Sequence, residues 1–256
     1  MELATWIGLL IGFGGIILGN LIEGGHTGSL LQFTAGLIVL MGTVGAVMVS
    51  HPMSHIRQGI KLARRAFFDR TTSGGLAFES ETIQSVTKDL VECTKIYKRE
   101  SLQALESRIQ KIQDPFLKRI MRSVVDGLDP AIVRNIFETE IDVEEENLLA
   151  YAKIWSDAGG FCPTIGIIGA VLGLIHVMGN LSDTSKLGAG IAVAFVATVY
   201  GVGFANLLFI PLNSKIKKQI HSQMRVRRMT LEGALLVNSG LSSTVVDQKV
   251  RAYYEA

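Results

Sequence analysis

Charged residues are scarce in this chain. Asp, Glu, Lys and Arg make up 19% of its 256 residues, where a soluble domain carries about a quarter. Cysteine is scarcer still. Cys93 and Cys162 are the only two, and two distant thiols in different surroundings exclude a disulfide framework and a zinc cluster. Five prolines and 27 glycines do not describe a low-complexity tail, because 48% of the chain is hydrophobic, too much for disorder. A net charge of +2 is too small to argue for nucleic acid as a partner. There is no phosphate loop of the Gly-x-x-x-x-Gly-Lys type, no nucleophile elbow and no Cys/His spacing that suggests a metal. An enzyme would need a catalytic pair that the sequence does not show.

What the chain has instead is long uncharged runs, and its mean hydropathy is +0.35. A helix needs about 20 mostly apolar residues to cross a bilayer. Four segments free of Asp, Glu, Lys and Arg meet that length: Leu3–Ile22, Gly24–Ile56 (apolar from about Leu30 to Val49), Ala158–Ser182 and Leu187–Ser214. A basic n-region and a polar, small-residue cleavage site are missing at the start, which does not fit a signal peptide. The glycines of Gly12-Phe13-Gly14-Gly15 fall inside the first run, so they read as helix packing rather than a dinucleotide loop.

Basic residues set the expected orientation. Of 25 Lys and Arg, sixteen lie between His51 and Ile154, eight follow Pro211, and Lys186 alone sits in a hairpin tip. The loops Glu23–Ser29 and Leu181–Lys186 are therefore expected outside, with both termini in the cytoplasm. The predicted fold is all-α, a polytopic membrane protein with four transmembrane helices and a helical cytoplasmic domain. Its parts are a hairpin over residues 1–50, a cytoplasmic helical domain over 51–154, a second hairpin over 155–214 and cytoplasmic C-terminal helices over 215–256.

Within the cytoplasmic part, Ile56, Ile60, Ala63 and Phe67 share a helical face, with Arg57, Lys61, Arg64 and Arg65 around the rest. That pattern suits a helix on the inner membrane surface. Asp69–Ser80 reads as a loop. From about Glu81, Ile83, Val86, Leu90, Cys93, Tyr97, Leu105, Ile109 and Ile112 step mostly by three and four, which predicts one amphipathic helix. Asp114-Pro115 breaks it and opens a short helix through Val125. Asp129 caps the next, with Pro130 at its first position; no breaker follows until Gly159-Gly160, so this helix is expected to run into the third span. A basic helix, Lys215–Leu236, continues the fourth span, and a turn at Asn238–Gly240 precedes a short last helix.

The spans hold small residues at helical spacing. Gly166 with Ala170, and Gly169 with Gly173, are four apart, and the fourth span offers Gly190, Ala194, Ala197, Thr198, Gly201 and Ala205. Small residues let helices approach closely in lipid, either within this chain or against a partner helix. Thr198 adds a hydroxyl, unless it bonds to its own helix carbonyl. Pro163 and Pro211 mark either span boundaries or hinges. An ion path needs an ionisable group at depth. His176 is the candidate inside the third span, though it also fits as a side chain bonded to a nearby carbonyl. If an ion is conducted, a partner must supply the carrier carboxylate.

Several stretches then carry a resemblance. Lys98-Arg99-Glu100-Ser101-Leu102-Gln103-Ala104-Leu105-Glu106, Val125-Asp126-Gly127, Cys162-Pro163-Thr164-Ile165-Gly166-Ile167-Ile168-Gly169-Ala170-Val171-Leu172-Gly173-Leu174 and Ala197-Thr198-Val199-Tyr200-Gly201 are similar to the A subunit of flagellar motor stators, the MotA/PomA type of the broader MotA/TolQ/ExbB superfamily. The likeness covers nearly the whole chain. It implies a bacterial inner-membrane subunit, five A chains around two single-span B subunits of the MotB type. The B aspartate carries the ion, and ion flow drives torque on a FliG-type rotor protein. It also implies roles. Glu106 matches the rotor-facing acid; eight residues before it the family has arginine, where this chain has Lys98 with Arg99 beside it. Pro163 and Pro211 match two prolines tied to torque, and Thr198 the threonine facing the partner's carboxylate.

Position 170 bears on the ion. Sodium-type members resemble Gly-Thr-Leu-x-Gly and proton-type members Gly-Ala-Val-x-Gly; here the stretch is Gly169-Ala170-Val171-Leu172-Gly173. Sodium sheds water and needs oxygen ligands in return, and Ala170 has none in its side chain, so the expected ion is the proton, with no cofactor. An ExbB/TolQ-like energiser of outer-membrane transport or envelope upkeep is the competing reading. Those chains have three spans and lack the N-terminal hairpin and the Ala-Leu-Glu block. A non-motor membrane scaffold would bind no single-span partner.

Overall fold

The computed structural model describes residues 3–68, 75–99, 102–179 and 184–253. Among them the chain is helical, without a strand, which is the all-α class expected. Ten α-helices follow one another: α1 (Leu3–Ile22), α2 (Phe33–Ser50), α3 (Met53–Phe68), α4 (Gly75–Arg99), α5 (Leu102–Gln110), α6 (Pro115–Val125), α7 (Pro130–Met178), α8 (Thr184–Phe204), α9 (Ile210–Asn238) and α10 (Ser243–Arg251). They group into two compact units, residues 1–73 with 149–217 and residues 74–148 with 218–256.

The first unit contains α1, α2 and the apolar parts of α7 and α8, four helices long and apolar enough to cross a membrane. Their outward faces are apolar, with Leu10, Ile22, Phe33, Ile175 and Phe195 all exposed, as lipid rather than water would allow. The inward faces are small: Ala35, Val39, Cys162, Val196, Ala197 and Ala205 form one buried cluster. The α1–α2 connection turns at Gly24 and closes with a 3₁₀ turn over Thr27–Leu30. It is fastened by Tyr200, whose hydroxyl donates to the Leu30 carbonyl at 2.6 Å and accepts from the Gln32 amide at 3.3 Å. Of the other expected loop, Leu181–Lys186, residues 180–183 lie outside the described ones, and Thr184 already begins α8.

The third and fourth spans touch backbone to backbone. A Cβ built on Gly201 would lie 2.8 Å from the Cys162 carbonyl oxygen, one on Gly166 2.9 Å from that of Ala197, and one on Gly173 2.9 Å from that of Gly190. No side chain fits there. Gly166, Gly173, Gly190 and Gly201 are thus occupied within the chain.

Neither proline ends a helix. Pro163 lies inside the 49-residue α7. Before Pro211 the backbone widens into a π-helical turn, Ala205–Phe209, where the Ile210 amide donates to the Ala205 carbonyl five residues back. Proline brings no N–H and its ring crowds the carbonyl four residues earlier. A wider turn relieves that conflict and lets the helix continue.

α3 also belongs to the first unit. Its buried residues are Gly59, Ala63 and Ala66, while Ile60 is 55% exposed. The buried stripe is therefore rotated from the expected Ile56, Ile60, Ala63 and Phe67 face. Gly59 causes the rotation: a Cβ there would lie 2.8 Å from the Tyr151 carbonyl, and the Trp155 indole N–H donates to the Gly59 carbonyl at 3.0 Å.

The second unit corrects two expectations. Of the predicted Asp69–Ser80 loop, residues 69–74 lie outside the described ones, and helix already runs from Gly75. The single helix expected from Glu81 to Ile112 is two. Arg108 pairs with both Asp89 and Glu92. Nineteen positions along one straight helix would separate Arg108 from Asp89 by about 28 Å, so α5 must fold back on α4. Ile83, Val86, Leu90, Cys93, Leu105, Ile109 and Ile112 are all buried, as their spacing implied. Asp114 caps α6, accepting from the Leu117 amide at 2.7 Å. Gly127, at φ +77°, makes the turn that a side chain would strain, and Asp129 accepts from the Ala131 amide at 2.7 Å to start α7.

Gly201 and its neighbour two positions on give a matched test. Gly201→Ala forces a methyl group against backbone, whereas a Cβ on Gly203 meets nothing within 4 Å. Overpacking costs roughly 1–3 kcal/mol. The expected result is a clearly lower thermal midpoint of the detergent-solubilised chain for Gly201→Ala, with Gly203→Ala at the unmodified value. Equal midpoints would show that these spans do not approach so closely.

Candidate functional site: an exposed charged turn and a small-residue seam

Two sets of residues emerged from the sequence, one in each unit. In the second unit, Lys98 and Arg99 occupy the last turn of α4 and Glu106 lies on α5. All three are exposed, and among the described residues none takes part in an ion pair. Their eight-residue spacing is not a spacing along one helix, since α5 folds back between them. Basic side chains in a last turn also face the negative end of the helix dipole, which accounts locally for Lys98 and Arg99. Glu106 points outward because the adjacent Leu105 and Ile109 are wholly buried.

Arg108 holds this arrangement. It contacts Asp89, and its Nε donates to Glu92 Oε2 at 2.7 Å; its side chain is 16% exposed. Burial works to lower its pKa, but the bonds to Asp89 and Glu92 hold the guanidinium above its ordinary value. The fork therefore stays charged while it clamps α5 to α4. Cys93 lies in the core of the same unit. Burial pushes its thiol up to about 11, against the pull of the Arg108 charge. Cys93 is thus a free and protonated thiol.

α7 and α9 exchange ion pairs in both directions within this unit. Arg134 meets Glu232, Arg227 meets Glu144, and Arg228 meets Asp142 at 2.9 Å and Glu145 at 2.7 Å. Arg227 and Arg228 of the basic C-terminal helix are thus answered internally. The sequence signal was the Glu-rich run from Glu138 to Glu146, which was not matched to it.

In the first unit, Gly166, Gly169 and Gly173 of the third span face Gly201, Ala197 and Ala194 of the fourth. Ala170 is off this seam and half-exposed, and so is Thr198. The Thr198 hydroxyl donates to the Ala194 carbonyl at 3.3 Å, the own-helix bond that was one of its two readings. Pro163 sits on the seam, with its Cα 3.2 Å from a Cβ built on Gly201. Pro211 follows the π-turn. His176 is exposed.

One pair escaped the sequence reading. His51 Nε2 lies 2.9 Å from Asp157 Oδ2. His51 directly follows α2 and Asp157 directly precedes the uncharged run of α7, so each marks the end of an apolar run. That shared position was the available signal.

The MotA/TolQ/ExbB proton channel family matches residues 108–229 of the chain. Motility protein A of Bacillus subtilis is 31% identical over 256 residues, covering 100% of this chain and 92% of that protein. The structure of C. jejuni MotAB superposes with a TM-score of 0.87 at 28% identity, over 99% of this chain and 96% of that one. The flagellar MotAB stator complex from Bacillus subtilis does so with 0.84 at 31% identity, over 97% and 94%. Four long apolar helices and this matched core place the protein in the MotA/TolQ/ExbB class of membrane proteins. Within that class, the chain belongs to the motility protein A family.

The clamp makes Cys93 a reporter of α5. At pH 7.5 a thiol of pKa about 11 holds roughly 300-fold less thiolate than an ordinary cysteine. Maleimide labelling of Cys93 in the folded protein, read by mass spectrometry of its peptide after digestion, is expected to be correspondingly slow. Arg108→Ala removes a charge that favours the Cys93 thiolate, so only a loosened α5 can speed labelling, and an increase of at least about tenfold is expected. Unchanged labelling would show that the clamp does not hold the helix.

Proposed function

We propose that this chain is the A-type subunit of a proton-driven flagellar stator in the bacterial inner membrane, with both termini cytoplasmic. The observation that carries the reading is the full-length likeness, in fold and sequence, to MotAB stator structures. Four span-length helices favour it over an ExbB/TolQ-like energiser, which resembles this chain in its last two spans only.

The physical features agree with the division of labour this implies. The four apolar runs contain no Asp, Glu, Lys or Arg, so the ion-carrying carboxylate comes from a single-span B subunit of the MotB type. Five A chains surround two B chains. Ala170 and Thr198, half-exposed beside the glycine seam, face that partner. Ala170 offers no side-chain oxygen to a dehydrated sodium ion, whereas proton transfer to a carboxylate needs none; the coupling ion is the proton. Pro163 and Pro211 let the spans flex against the helices they continue into. Lys98, Arg99 and Glu106 supply the charged contact with a FliG-type rotor protein.

Deletion of the gene tests the role. Paralysed cells that still build filaments are expected; normal swimming together with impaired siderophore uptake or detergent sensitivity would point to the energiser instead. In the complemented strain, torque should persist without sodium and collapse with a protonophore. Sodium-dependent, protonophore-resistant rotation would overturn the proton assignment.

Glu106→Lys isolates the rotor contact. The side chain is exposed and carries no ion pair among the described residues, so the variant should accumulate in the membrane at normal levels while swimming is strongly impaired. Loss of the protein itself would make Glu106 structural.

A further inference from the structure

The outward face of α3 is built for a different partner. No Asp or Glu occurs from Gly24 through Phe68, so α3 carries Arg57, Lys61, Arg64 and Arg65 with no acid of its own. All four are exposed, and among the described residues none is ion-paired. Round the helix, the exposed Ile60 and Met53 come first beside the buried stripe. Arg64 and Arg57 follow, then Lys61 and Arg65. An apolar edge leading into a cationic face is the profile of a helix lying in a bilayer interface.

Two further observations fix where that face sits. Only His51 and Pro52 separate α3 from the end of α2, which keeps its first residue within about 11 Å of a span terminus. At its far end Phe67 and Phe68 pack on Trp6, with ring centroids 6.1 and 6.3 Å apart. Trp6 and Phe68 are themselves exposed, as aromatic side chains are at headgroup depth. Beside Trp6, Thr5 receives the Lys215 ammonium at 2.8 Å, adding a cation at the same corner.

We infer that α3, with the Trp6–Phe67–Phe68 cluster, is a docking surface for anionic phospholipid headgroups of the leaflet at that end of the spans. Basic side chains near a bilayer surface recruit anionic lipid electrostatically, and the attraction falls off within a Debye length. The chain would thereby gather an anionic lipid shell around α3. This inference does not depend on the ion or the rotor contact.

The test uses the full chain reconstituted in phosphatidylcholine vesicles. These contain equal fractions of either brominated phosphatidylcholine or brominated phosphatidylglycerol, and the fluorescence of its two tryptophans is read. Phosphatidylglycerol is expected to quench at least about twofold more strongly. Replacing Arg57, Lys61, Arg64 and Arg65 by Gln should erase that excess while leaving quenching by phosphatidylcholine unchanged. For the unmodified chain, ~1 M salt, where the Debye length is about 3 Å, should erase it too, without any variant having to fold. Equal quenching by the two lipids overturns the proposal. So does an excess that survives both the substitutions and the salt. An excess abolished by inorganic phosphate at constant ionic strength overturns it as well, by identifying a soluble-anion site.

Discussion

Between the third and fourth spans the backbones themselves are in contact, and the rest of the first unit depends on that seam. In lipid, apolar side chains gain nothing from leaving their surroundings for one another. Association must come from close van der Waals contact, and that requires removing Cβ atoms. Gly166, Gly173 and Gly201 do so at the three places where a methyl group would meet a carbonyl oxygen. The seam has a second effect. It draws the smallest residues inward, leaving Ile167, Ile168, Val171, Leu172 and Ile175 outward. The outward face of the third span is therefore bulky, with Ala170 of that span and Thr198 of the fourth as small residues beside the seam.

The prolines are set against the same seam. Pro163 lies where Gly201 crosses, and Pro211 lies just beyond the π-turn of the neighbouring helix. A proline inside a helix removes one hydrogen bond, and a π-turn disturbs the ladder around it. Two softened places, one per helix, thus lie in the first unit, before each helix leaves it. Bending at them need not open the glycine contacts at Gly173 and Gly190, further along the spans.

Most of the architecture was legible because its signals are local. Charge-free runs announced the spans, and Asp114-Pro115 and Asp129-Pro130 announced two helix starts through a cap and a fixed φ. The fold-back of α5 was hidden for a physical reason. Tyr97 and Leu105 are eight apart, close to two helical turns, so the hydrophobic period passes straight across the turn. The sequence between α4 and α5 holds neither glycine nor proline. The small-residue pattern was visible, but whether it packed within the chain or on a partner is a tertiary question that periodicity does not answer. The His51–Asp157 pair and the α7–α9 ion pairs were unread because each joins segments far apart in sequence. Of the site, the exposure of Lys98, Arg99 and Glu106 followed from pattern and resemblance; what holds them did not.

That hold matters more than any one of the exposed charges. A surface ion pair contributes about 0–1 kcal/mol, so the lack of an ion pair at Glu106 and Lys98 among the described residues costs the fold almost nothing. On the proposed rotor contact, transmitting force through them is another matter. α5 is nine residues long, too short to be a stable helix alone, and a charge mounted on it would yield under load. Arg108 removes that weakness. It lies two residues from Glu106, faces the opposite way, and takes hold of two carboxylates on the longer α4. Leu105 and Ile109 press into the core on either side of Glu106. The exposed acid is thereby backed by a charged clamp and two buried anchors within four residues of it. A solvated surface charge needs no such support, whereas a charge that pushes on another protein does.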